Sequence, residues 1–132
     1  MKLYLPLIPL PKNDKEIWIS YARINIVEFN SEEFAKAEIK DFASSAAAEF
    51  PEAEIILSVA TGAESVVIVS VYPDEDAFER SAVARAARLK GHEERFKNVE
   101  VLEGEVALAH VKPNWPRTFP SPLREIPRMF RP

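Results

Sequence analysis

The chain has 132 residues, 47% of them hydrophobic and 29% charged, a net charge of −4 and no cysteine. This is the composition of one globular domain with its own core; without cysteine it has no disulfide framework, thiolate zinc site or thiol nucleophile, which fits a reducing, cytoplasmic setting. Residues 1–111 hold 12 basic and 20 acidic side chains, and residues 112–132 hold five and one, so the body is too acidic for a nucleic-acid partner.

Residues 1–15 read as an extended arm. Leu3–Pro11 is apolar, but Pro6, Pro9 and Pro11 interrupt it, and it is far shorter than the roughly 20 residues of a membrane helix. It is therefore expected to be an extended arm and not a targeting signal. A first strand is expected over Trp18–Phe29, with alternating faces. Ala22, Ile24 and Ile26 make a small apolar face suited to packing under helices, and Tyr21, Arg23, Asn25 and Val27 make the other, half-buried one.

A helix is expected over Ser31–Phe50, capped by Asn30 with Glu33. Ala35, Ile39, Phe42, Ala43, Ala46 and Phe50 form its apolar stripe, and Pro51 ends it. Glu54–Thr61 and Ser65–Tyr72 form a hairpin around Thr61-Gly62-Ala63-Glu64, with Gly62 relaxing the backbone. Both strands are apolar on both faces, which requires cover on both sides of the sheet.

The second helix is expected over Asp74–Lys90. Asp74 caps it, Glu75 and Asp76 suit its positive end, Phe78, Ala82, Ala86 and Leu89 form its buried stripe, and Gly91 stops it. A last strand over Val99–Val111 contains Gly104, a candidate bulge, and His110. Residues 112–132 form a basic, Pro-rich tail in which Trp115 and Phe119 suit either a pocket lid or a clamp on a second subunit.

The order β-α-β-β-α-β is the ferredoxin-like, α+β arrangement with an antiparallel sheet, spanning residues 16–111. Its two helices cover one sheet face only. A second copy of the chain is the simplest cover for the other, giving a dimeric α/β barrel with the terminal arms available to wrap it.

Tyr21-Ala22-Arg23-Ile24-Asn25-Ile26, the run Val71–Phe78 and Val99–Gly104 together resemble the dimeric α/β-barrel superfamily, in particular its antibiotic-biosynthesis-monooxygenase-like group. The resemblance implies a homodimer with face-to-face sheets, and activities that range from cofactor-free oxygenation of phenols and quinols to heme degradation. Tyr72 stands where that group often has a pocket Trp. Ala22 and Ala82 stand where its heme degraders have Asn and His, which disfavours heme degradation.

The expected site follows from side-chain chemistry. Tyr21, Asn25 and Tyr72 would hydrogen-bond a small aromatic substrate, Arg23 would hold a developing oxyanion, and His110 would serve as general base. The same groups also suit a subunit interface in which Arg23 pairs with a partner's acid, and His110 suits a hydrogen-bonded core position. His92 follows the Gly91 stop and reads as exposed. Two separated histidines give no metal-ligand spacing, and three glycines give no phosphate loop, so neither metal nor cofactor is expected. The function expected is cofactor-independent monooxygenase-like catalysis. The alternative is a non-catalytic dimeric domain that binds a small ligand or a partner.

Overall fold

The computed structural model describes residues 19–115. The arm over residues 1–15, Trp18, and the tail beyond residue 115 with Phe119 lie outside the described residues.

The elements follow the expected order. Strand β1 (Tyr21–Phe29) leads to helix α1 (Glu32–Glu49), then to strands β2 (Ile55–Gly62) and β3 (Ser65–Tyr72). Helices α2 (Glu75–Arg80) and α3 (Ala82–Gly91), a 3₁₀ turn (Glu93–Arg95) and strand β4 (Phe96–Glu105) complete it. The sheet order is β2-β3-β1-β4, every pair antiparallel. This is an α+β ferredoxin-like fold.

Local chemistry sets the boundaries with some departures. The cap of α1 is Ser31, whose hydroxyl accepts from the Phe34 amide at 3.0 Å. Asn30 instead donates to the carbonyls of Glu94 and Phe96, tying the end of β1 to the start of β4. Asp74 caps α2, accepting from the Ala77 amide at 2.8 Å. Gly62 has no left-handed backbone; a Cβ there would stand 2.9 Å from Ser65 Oγ, so close approach is the constraint. Gly104 pairs regularly with Ala22, and the irregularity in that ladder falls at Glu28/Phe29.

The second helix is two helices. A turn at Ser81 separates α2 from α3 and resets the phase of the buried stripe. Phe78 is buried as expected, but Ala82 and Ala86 are exposed; Ala84, Arg85, Arg88 and Leu89 are the half-buried residues of α3. No residue of α3 is fully buried.

The sheet faces are also the reverse of the expected assignment. Val27 and Phe29 pack with Ala35, Ile39 and Val66 in the core, so the face carrying Tyr21, Arg23 and Asn25 lies under the helices. Ala22, Ile24 and Ile26 belong to the open face. Two further clusters extend the core, Phe42 with Ala46 and Phe50, and Tyr72 with Ala77 and Phe78.

Replacing Ser31 with Ala removes the α1 cap and is expected to lower unfolding free energy by about 1 kcal/mol in urea titrations. Replacing Glu33 with Gln, a residue with no capping bond here, leaves it unchanged.

Candidate functional site

Between the sheet and the helices lies a cavity of about 60 Å³. Its floor is the helix-facing side of β1 and β3. The register places Arg23 opposite Ser70 and Asn25 opposite Ile68, and all four line the cavity with Tyr72. Phe42 and Glu38 of α1 and Arg85, Arg88 and Leu89 of α3 supply the roof. The volume suits a few waters or the head group of a ligand. A wider groove of about 460 Å³ lies against it, and Arg85, Leu89, Phe96 and Val99 line both.

Arg23 is 4% exposed. Its Nη1 donates to Ser81 Oγ at 3.1 Å, its Nε stands 3.5 Å from Glu103 Oε2, and its guanidinium lies 4.4 Å from the Phe78 ring centroid. Burial of a guanidinium requires such partners. Arg23 thus fixes the turn between α2 and α3 from below, within one protomer. Asn25 accepts from Arg85 Nη2 at 2.8 Å.

Glu38 is 4% exposed on a helix face otherwise apolar. Arg88 Nε donates to its Oε2 at 2.8 Å and Arg95 Nη1 to its Oε1 at 2.9 Å; His92 Nδ1 stands 3.2 Å from the same Oε1. Arg88 also reaches Glu49 at 2.8 Å and lies over the Phe42 ring. Arg95 reaches Asp41 at 2.9 Å. These bonds hold α3 and the 3₁₀ turn to α1.

Three buried polar atoms have no hydrogen-bond partner among the described residues: Tyr72 Oη, Arg85 Nε and Arg88 Nη2. All three belong to residues lining this cavity. Burial, and then the like charge of Arg23, lowers the pKa of Arg85 from its usual value.

Of the expected site residues, Arg23, Asn25 and Tyr72 border the cavity and Tyr21 and His110 do not. Tyr21 packs edge-on against Phe78, ring centroids 4.8 Å apart, outside the cavity lining. Partial burial and the nearby Glu75, Glu105, Glu103 and Glu79 raise its phenol pKa. His110 is exposed and lies past the end of β4, because the strand stops at Glu105 rather than Val111. It has no place in the cavity as a base. Ala22 projects from the opposite sheet face and Ala82 is exposed, so neither borders the cavity; the amide that does is Asn25.

Arg85, Arg88 and Glu38 were not among the expected site residues. Glu38 had a visible signal, a carboxylate one turn from both Ala35 and Phe42 on the buried stripe. Arg85 had one too, standing seven residues after Phe78 and four before Leu89 on the expected stripe; Arg88 had none, since an unbroken helix turns it away from that stripe. Among the described residues, no group of three or more histidines, aspartates and glutamates is placed to hold a metal ion. Among the same residues, no helix is long and apolar enough to cross a membrane.

No protein-family model matches the sequence, and no curated protein sequence does. Solved structures do match, among them proteins named as antibiotic biosynthesis monooxygenases. A dimeric ferredoxin-like protein from an uncultured marine organism is 8% identical with a TM-score of 0.56, over 71% of this chain and 93% of that one. SnoaB from Streptomyces nogalater, a cofactor-independent oxygenase, is 18% identical with a TM-score of 0.52, over 71% and 97%. The heme degrader MhuD from Mycobacterium tuberculosis, solved with two hemes in its active site, is 24% identical with a TM-score of 0.52, over 69% and 99%. At these identities the likeness is one of fold, and the chain has the ferredoxin-like fold of antibiotic-biosynthesis-monooxygenase-like proteins.

Replacing Glu38 with Ala removes a shared carboxylate from the half-buried Arg88 and Arg95, which keep Glu49 and Asp41, and is expected to cost about 1–3 kcal/mol of unfolding free energy in urea. Replacing Arg80 with Ala, which breaks the exposed pair with Glu52, is expected to leave the urea midpoint nearly unchanged.

Proposed function

We propose that the protein is a homodimer whose protomers each bind a small aromatic substrate between sheet and helices, and that it acts as a cofactor-independent monooxygenase-like enzyme. The observation that carries the catalytic reading is that a guanidinium, an amide and a phenol (Arg23, Asn25 and Tyr72) line one cavity. In this chemistry an electron-rich substrate anion reacts with dioxygen itself. The protein then supplies shape, exclusion of water and donors for negative charge on oxygen. Among the described residues no imidazole lines the cavity, and the carboxylate that does, Glu38, is engaged by arginines. Ionisation of the substrate therefore rests on the surrounding positive charge, which favours the anion, with solvent taking the proton.

The absence of a free base among the described lining residues favours a second reading, a non-catalytic domain that binds a small ligand or a partner. In that case the same cavity holds its ligand and consumes no oxygen.

The dimer is supported by the open sheet face. Cross-strand register sets Leu57, Val69, Ile24 and Leu102 in one row, with Val59, Val67 and Ile26 in the next. Val59 is 48% and Leu102 49% exposed. An apolar sheet face of this extent marks an association surface, and a second copy laid on it face to face would bury it. The match to a dimeric ferredoxin-like protein points the same way.

Light scattering at micromolar concentration is expected to give twice the monomer mass, and Val69→Lys to give the monomer mass; a monomeric wild type removes the dimer. Oxygen uptake with anthrone- and quinol-type substrates is expected for the wild type and for His110→Ala, and to fall about ten-fold or more in Arg23→Gln, as loss of an oxyanion donor predicts. Ligand binding without oxygen uptake selects the non-catalytic reading.

A further inference from the structure

We propose that helix α3 is a latched lid. It lifts from the sheet about the turns at Ser81 and at Gly91–His92, with Arg88 as the latch, and so admits to the cavity a molecule that the closed form has no room for. The inference deepens the reading of the cavity as the ligand site, but the motion belongs to the free protein and does not depend on what the cavity binds.

Volume sets the need. A cavity that takes one benzene ring is about 150 Å³, and this one is about 60 Å³. Its floor is the paired strands β1 and β3. One part of its roof, α1, buries Ala35, Glu38, Ile39, Phe42 and Ala46. Neither moves without opening the core. The rest of the roof, Arg85, Arg88 and Leu89, belongs to α3, which has no buried residue. Its apolar hold is slight: Ala84 against the cluster of Phe42, Ala46 and Phe50, and half-buried Leu89. Segments with few buried apolar contacts are the ones that open at least cost.

The polar bonds across α3 are arranged so that the helix can leave. Arg88 donates to Glu38 at 2.8 Å, to Glu49 at 2.8 Å and to Ser45 at 3.2 Å, all on α1. Arg85 donates to Asn25. Water replaces such bonds once the helix lifts. The group at risk is Glu38, since a buried carboxylate is costly without partners. It keeps Arg95, whose Nη1 donates to Oε1 at 2.9 Å and which comes from the 3₁₀ turn rather than from α3. His92, 3.2 Å from the same oxygen, stands at the far hinge. The second arginine on Glu38 is what makes the first one releasable.

Both ends of α3 meet fixed points. Before it, Ala77 and Phe78 of α2 are buried with Tyr72, and Arg23 holds the Ser81 hydroxyl from the sheet at 3.1 Å. Helix α3 then starts with no side-chain cap bond and no acidic residue in its first turn, whereas α1 and α2 have both. After it, a Cβ on Gly91 would meet nothing within 4 Å, so the chain has room to turn there. Asn30 fixes the chain just beyond by its bonds to the carbonyls of Glu94 and Phe96. A helix of ten residues thus hangs between two anchored turns and swings about the line that joins them.

The chain has no cysteine, so an introduced thiol reports the opening. Ser70→Cys places one on the cavity floor, at a site 7% exposed, and Ala35→Cys places one in the core under α1, at a site 0% exposed. Each full-length variant is labelled, without ligand, by pyrenyl maleimide, a neutral reagent wider than the cavity. The Ser70→Cys thiol is expected to react about a hundred-fold or more faster than the Ala35→Cys thiol, as local opening outruns global opening. Adding Arg88→Gln is expected to speed the first about ten-fold and leave the second unchanged. Raising NaCl from about 0.1 M to about 1 M is expected to speed the first about two-fold with the latch residues intact. Arg95→Gln is expected to slow it, because the open form then strands Glu38. Equal rates at the two thiols overturn the lid, as does a Ser70→Cys rate indifferent to both Arg88→Gln and salt. Arg88→Gln speeding both thiols alike is general loosening and also overturns it, and so does Arg95→Gln speeding the floor thiol as Arg88→Gln does. The expected labelling with no ligand binding or oxygen uptake by the wild type leaves the lid standing and removes the ligand-site reading. Oxygen uptake with equal rates at the two thiols does the reverse.

Discussion

The buried carboxylate of Glu38 is the constraint on which the site depends. Helix α3 brings no fully buried side chain to the core, and its one large apolar residue besides Leu89, Val83, is 81% exposed. Hydrophobic burial alone therefore gives this helix little hold on the sheet. Arg88 and Arg95 supply the hold by converging on Glu38 from α3 and from the 3₁₀ turn. A carboxylate taken out of water is costly unless its lone pairs are filled, and here both oxygens accept charged donors. The helix is thus suspended over the sheet by polar struts, and the space beneath it is the cavity.

That suspension explains why the cavity is cationic. Arginines reach further than apolar side chains and carry their charge to the end of the reach. Arg23 rises from the sheet to Ser81, and Arg85 descends from α3 to Asn25. A helix docked by Leu and Val would sit closer and leave no such space. The surplus of donors follows from using guanidinium groups, each with five N–H bonds, as spacers. Some are left over.

The two faces of the sheet serve different ends. The helix face holds the cavity, and the opposite face is an apolar surface of Val, Ile and Leu. The proposed ligand site and the proposed association surface therefore lie on opposite sides of the same strands. In residues such as Arg23 and Ile24, neighbours in sequence, one side chain belongs to each.

The order of elements was legible in the residues. Pro51, Pro73 and Gly91 mark boundaries, Asp74 caps where expected, and the doubly apolar hairpin indicates a sheet needing cover on both sides. The facing of β1 was not legible. Arg23 and Asn25 look like the outward residues of an alternating strand, and small Ala22 and Ile24 look like the inward ones. The reverse holds because Arg23 finds Ser81, Glu103 and the Phe78 ring, partners distant in sequence that make its burial tolerable. His110 read as a strand residue by parity alone, and parity does not say where pairing stops; β4 ends at Glu105.

The sequence by itself determined the fold class, because strand and helix periods and their breakers act over a few residues. It also carried the demand for a second cover, because an apolar strand needs one wherever the chain places it. Only the tertiary structure decided the site. Glu38 comes from α1 and Arg85 and Arg88 from α3, and the turn at Ser81 rotates α3 so that Arg88 joins Arg85 on its inward side. Which polar side chains are buried is decided by partners brought together across the fold, and those pairings have no local trace.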